Sequence, residues 1–168
     1  MPQVVAATFA DQEAAARGLA TISGALLGGG LKQGAVVHKE ADGKIKFVET
    51  KDMSAAQGAT VGGIAGAVLG IIAGPIGVIG GGAIGAGVGS LAAKLRDSGF
   101  PDNQLRGLGE DLSPGQGALV AVVDDDQVAK AKDLLGVVEA QRIVVHDVSA
   151  DLADLLDQEA AAVTSSSG

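Results

Sequence analysis

A mixed α+β fold is predicted by three observations: a strand-helix-strand pattern near the N-terminus, a second one near the C-terminus, and an uncharged glycine-rich block between them. Val4 to Phe9 is a short apolar run rich in β-formers. Asp11 then precedes an alanine-rich stretch with Leu19, Ile22 and Leu26 at helical spacing, which reads as strand, cap and helix. Gly28, Gly29 and Gly30 stop that helix, and Ala35 to Lys39 is expected to form the next strand. Asp42-Gly43 signals a hairpin turn, after which Lys44 to Thr50 alternates lysine with Ile45 and Phe47, as a half-exposed return strand does.

The second half repeats this order. Pro114-Gly115 opens a strand from Ala118 to Val123, and Asp124 to Asp126 are expected to cap a helix with Val128, Ala131, Leu134 and Leu135 on one face. Gln141 to His146 is the following strand. Ser149 caps a last amphipathic helix carrying Leu152, Leu155, Leu156 and Val163, before a fraying tail. The halves echo each other: QGAVVH at Gln33 to His38 matches QRIVVH at Gln141 to His146, and Asp11-Gln12 matches Asp126-Gln127. Identities this short also arise from convergent strand composition. Two β-α-β units of this size commonly assemble as a ferredoxin-like sandwich, an antiparallel sheet with two helices on one face.

Charge divides the chain further. Residues 1–52 carry six basic and six acidic side chains, residues 53–93 carry none, and residues 94–168 carry six basic and fourteen acidic. The predicted organisation is therefore a discontinuous cytoplasmic ferredoxin-like domain over residues 1–52 and 98–164, an inserted helical hairpin over residues 53–97, and a disordered tail at 165–168. The N-terminus opens directly into an alternating apolar stretch, so no secretory signal is read there.

Within the block, Gly58, Gly62, Gly66, Gly70 and Gly74 recur every fourth residue, and Gly77, Gly81, Gly85 and Gly89 do so again after Pro75. Glycine inside a water-exposed helix costs up to about 1 kcal/mol relative to alanine, so the repeat needs a compensating contact. Close backbone approach supplies one, and small residues at every fourth position are the signature of helix pairs in membranes. These nine glycines are the predicted helix-packing residues. The opposite faces carry Val61, Ile64, Val68, Ile71 and Ile72, then Ile79, Ile84, Val88, Leu91 and Leu95, facing either lipid or a protein core. Ser54 to Ala73 and Ile76 to Leu95 are each long enough to cross a hydrocarbon layer of about 30 Å. Lys44, Lys46 and Lys51 before the block and Lys94 and Arg96 after it place both ends in the cytoplasm. The turn Ala73-Gly74-Pro75-Ile76-Gly77 has no polar side chain for the far side, which keeps open a hairpin dipping into one leaflet or one buried inside a soluble oligomer in the cytoplasm.

Composition excludes several functions. With no cysteine among 168 residues there is no disulfide framework, thiolate nucleophile or thiolate metal site, and two histidines leave little for a histidine-based centre. A formal charge of −8, a pI of about 4.6 and the absence of tryptophan and tyrosine argue against nucleic-acid binding. Gly80, Gly82 and Gly85 stand in the GxGxxG arrangement of dinucleotide sites, but the sequence after Leu95 offers no second strand ending in a ribose-binding acid. Asp124, Asp125 and Asp126 are read as helix-terminal acids rather than cation ligands. His38 and His146 hold equivalent places in the two halves, which could bring them near each other, but lack a recognisable serine partner. Asp147, Asp151, Asp154, Asp157 and Glu159 make the last helix acidic on one side, chiefly for solvation. The expectation is a non-enzymatic protein with no catalytic residue, cofactor or metal, with lipid bilayer and further copies of itself as partners. A soluble module that binds a small ligand on its sheet is the alternative.

The order of these features resembles an uncharacterised bacterial family of predicted membrane proteins, the domain of unknown function twelve sixty-nine. It is carried by the N-terminal strand and helix, the Asp42-Gly43 hairpin, the glycine-rich apolar hairpin, and the stretch DSGFPDNQLRGLGEDLSPGQGALVAVV from Asp97 to Val123. The resemblance covers about residues 3–160. It implies membrane association and a stress-related role, and it supplies no active-site residues. The near absence of aromatics in the apolar hairpin departs from that pattern.

Overall fold

The computed structural model describes residues 2–26, 30–47, 68, 72, 78–79, 97, 102–151, 154, 155 and 158. The elements, in chain order, are β1 (Pro2–Phe9), α1 (Gln12–Ala25), β2 (Leu31–Lys39), β3 (Ile45–Phe47), β4 (Val78–Ile79), α2 (Asp102–Asp111), β5 (Gly117–Asp124), α3 (Val128–Val137) and β6 (Arg142–Asp147). The strands form one sheet in the order β4-β3-β2-β5-β1-β6. Five of them are mutually antiparallel neighbours, and the two-residue β4 joins β3 in parallel. The fold is α+β, as expected.

β5 lies between β1 and β2, and β1 lies between β5 and β6, so the two strand-helix-strand units interleave rather than sit side by side. The apolar runs explain why. Val4 to Phe9 and Gly117 to Val123 are buried at every residue, which only strands covered on both faces can be. On one face, Val5, Ala7, Phe9, Val36, Leu119, Ala121 and Val123 pack with Ala15, Leu19 and Ile22 of α1 and Ala131 and Leu135 of α3. On the other face Val4, Ala6, Ala35, Val37, Ala118, Val120 and Val122 are equally buried.

α2 approaches that second face. Lys39, which alternates onto it, donates from Nζ to the Gly109 carbonyl at 3.1 Å, and Arg142 pairs with Asp111 at 2.8 Å from the β6 side. Leu105, Leu108 and Leu112 have the helical spacing that signals such an element, and Leu108 and Leu112 are buried.

Three further expectations are corrected. Ile79, expected on the outer face of a second zipper helix starting at Ile76, lies with Val78 in β4, opposite Ile45 and Lys46. The N-cap of α3 is Gln127, without a side-chain cap hydrogen bond, rather than one of Asp124 to Asp126; residues Asp125–Gln127 form a 3-10 turn leading into it. The QGAVVH and QRIVVH echo is out of phase: Val36 faces the helices, whereas its counterpart Val144 pairs with Ala6 on the opposite face. A bulge between Leu31 and Gln33 inserts one residue into β2 against β5, and because side chains alternate with period 2, the whole strand beyond it is flipped.

Candidate functional site

A concavity lined by charged side chains lies where the N-terminus of α1 meets the β2–β3 hairpin. Asp11 caps α1, its carboxylate accepting the Ala14 N–H at 2.7 Å. The helix begins close to the sheet because Gly117 lies beneath it: a Cβ there would stand 2.9 Å from the Asp11 carbonyl and 2.9 Å from the Gln12 Cα. His38 pairs with Gly117 in register and therefore sits beside this helix start. The hairpin turn is closed by Glu40 and Lys44, with the Lys44 N–H donating to Asp42 at 3.0 Å. Gly43 and Gly115, both with φ near +90°, permit the two turns that frame the depression.

The result is a broad, open hollow of about 1050 Å³ with Asp11, Glu13, His38, Glu40 and Asp42 on its walls. Its charges are largely answered within the hairpin. Glu40 accepts from Lys46 Nζ at 2.9 Å and has His38 Nε2 at 3.9 Å, and Lys44 stands 3.9 Å from Asp42. The hydrogen bond and charge of Glu40 raise the pKa of Lys46 above the usual lysine value. His38 Nδ1 is buried without a hydrogen-bond partner. Among the described residues lining the hollow there is no hydroxyl or thiol, and no group of three histidine or acidic side chains among the described residues could hold a metal ion.

The other predicted residues are distributed as follows. Gly58, Gly62, Gly66, Gly70, Gly74, Gly77, Gly81, Gly85 and Gly89 lie outside the described residues, as do Gly80 and Gly82 of the dinucleotide-like run. A strand does precede that run, but it is the two-residue β4 at the sheet edge, and the next described element with a sequence span is α2. His38 and His146 are not brought together: His38 is in the row of Gly117, whereas His146 pairs with Val4, in the row of Val122, on the opposite face. Val68 and Ile72, one helical turn apart, are both helical and buried. Among the described residues no helix is long and apolar enough to cross a membrane.

Sequence reasoning missed Gly109. A Cβ there would collide with the backbone carbonyl of Ile72, so the chain at residue 72 passes directly over α2. The available signal was a glycine inside a helix without an apparent packing reason.

These features define an α+β protein whose sheet is antiparallel but for one edge strand and whose sequence holds a charge-free, glycine-rich stretch over residues 53–93. The chain belongs to the family described as protein of unknown function (DUF1269), whose profile matches residues 55–161. No curated protein and no solved structure matches the chain.

Proposed function

We propose that this chain is a non-enzymatic, membrane-associated protein, a ferredoxin-like domain that self-associates through its glycine-zipper segment. The observation that carries this reading is the 41-residue stretch without an ionisable group, with glycine at every fourth position through most of its length. Such a segment gains by packing against lipid or another small-residue helix, and its few polar side chains, Ser54, Gln57, Thr60 and Ser90, lie toward its two ends. The interleaved order β2-β5-β1-β6 with α1 and α3 on one face supports the ferredoxin-like assignment. Gly62, Gly66, Gly81 and Gly85 are assigned the closest helix contacts.

Alkaline carbonate washing of membranes from expressing cells tests the location: retention of the protein in the washed pellet is expected, and complete release would refute integral association. Gly66→Leu is expected to reduce oligomer size in detergent; an unchanged oligomer would refute zipper packing.

A second reading takes from the burial of Val68 and Ile72 within the chain, and from the pairing of β4 with β3, that the segment lies against protein rather than lipid, and extends this to a neighbouring copy. In it the segment is a protein core between subunits of a soluble ligand-binding module. That protein would purify without detergent as a discrete oligomer.

A further inference from the structure

The contacts made by β4 cannot coexist with a membrane-crossing hairpin. If Ser54 to Ala73 spanned as one helix, the turn at 73–77 would stand about 30 Å from the segment's base. Val78, one residue beyond that turn, is instead paired in register with Ile45, a separation of about 5 Å between neighbouring strands. Insertion therefore requires β4 to leave β3.

A second contact holds the same segment. The Ile72 backbone lies against Gly109, with no room for a Cβ, and the Gly109 carbonyl is itself fixed by Lys39 of β2. Val68 and Ile72 are 0% and 3% exposed, so the apolar side chains nearest this contact are removed from water in the docked arrangement. The sheet face bearing Val37, Val120 and Val122 is buried as well.

We propose that the β3–β4 pairing and the Ile72–Gly109 contact form a latch that keeps the apolar segment docked, and that a lipid bilayer competes with the domain for it. This inference rests on the membrane reading above and adds its regulation. The ligand is the hydrocarbon layer itself rather than a charged headgroup. Residues 53–93 carry no basic side chain, and the whole chain is acidic at −8, so an anionic surface repels it overall. Lipid shifts the balance only through its greater affinity for the undocked form.

The test uses the natural absence of cysteine. In the full-length chain, Ile45→Cys together with Val78→Cys places one thiol on each strand at registered positions, within the Cα separation of roughly 4.4–6.8 Å that a disulfide needs. Flotation with vesicles of phosphatidylcholine is then compared for the oxidised and reduced forms and for wild type. Flotation of wild type and of the reduced variant, with loss of flotation on oxidation, is expected. Equal flotation of oxidised and reduced forms would overturn the latch while leaving membrane association intact. Failure of every form, wild type included, would overturn membrane association and the latch with it. Gly109→Leu gives an independent check: at unchanged far-ultraviolet circular dichroism it should float at lower lipid concentration than wild type, and an unaltered lipid dependence would refute the role of the Ile72 contact.

Discussion

Glu139 follows α3 with φ of 63°, a left-handed backbone that disfavours any residue with a Cβ. The chain needs this conformation because the Ala140 N–H turns back to the Leu135 carbonyl at 3.0 Å, closing the helix and aiming the backbone into β6. Glu139→Gly should therefore stabilise the fold by about 0.5–1 kcal/mol, read as a raised urea midpoint with unchanged slope. A second prediction concerns Lys46, whose raised pKa is caused first by its hydrogen bond to Glu40 and then by that residue's charge. Because the folded value lies above the unfolded one, the stabilisation is complete below the unfolded lysine value of about 10.4 and disappears as pH rises through the folded value. The side chain is 38% exposed, so the effect on stability is small, and the sharper readout is the titration itself. Glu40→Gln should move the NMR titration of the Lys46 side chain to lower pH; an unmoved midpoint would show that Glu40 is not the cause.

At the scale of elements, α1 is placed by what its first turn can approach. Gly117 opposes both Phe9 and His38 in the ladder, so it floors the sheet where the helix crosses. Gly117→Leu should cost about 1–3 kcal/mol by overpacking against the Asp11 and Gln12 backbone. Gly24→Ala, with open space around its added Cβ, should stabilise by up to about 1 kcal/mol. Chemical denaturation of both variants checks the contrast, and a neutral Gly117→Leu would mean the helix start is not held there. The elements that were legible in sequence had strong local signals: β1 and β5 were continuous apolar runs, and α1 had a capping Asp11 before Leu19 and Ile22. The face on which a strand places its residues was not legible, since the one-residue bulge near Gln33 depends on how β2 meets β5. α2 was obscured because Gly107 and Gly109 lower its intrinsic helix propensity, while its buried Leu108 finds its reason in a sheet face distant in sequence. The hollow at His38 was likewise not legible, because it joins α1 to a hairpin through register alone.

For the molecule as a whole, the two readings of the apolar segment make opposite claims about what remains when it is removed. The sheet is buried on both faces, with Val4, Ala6, Val37, Val120 and Val122 turned away from α1 and α3. An independent membrane hairpin contributes nothing to that second face, so replacing residues 53–97 with a flexible glycine-serine linker would leave a soluble, cooperative domain. A docked segment contributes cover that α2 alone, a helix of ten residues, is too short to replace across a six-stranded sheet. We expect the second result: the excised chain should bind a hydrophobic dye and associate, because a contiguous apolar patch larger than a few hundred Å² is not tolerated on a soluble monomer. Threonine at Val37 and Val120 in the excised chain should then reduce dye binding without moving the helix-side core, since these two valines lie outside it. A monomeric excised chain that melts cooperatively and binds no dye would remove the docked segment from the protein's core. Dye binding relieved by the threonines would instead make the second sheet face the seat from which the segment moves to lipid.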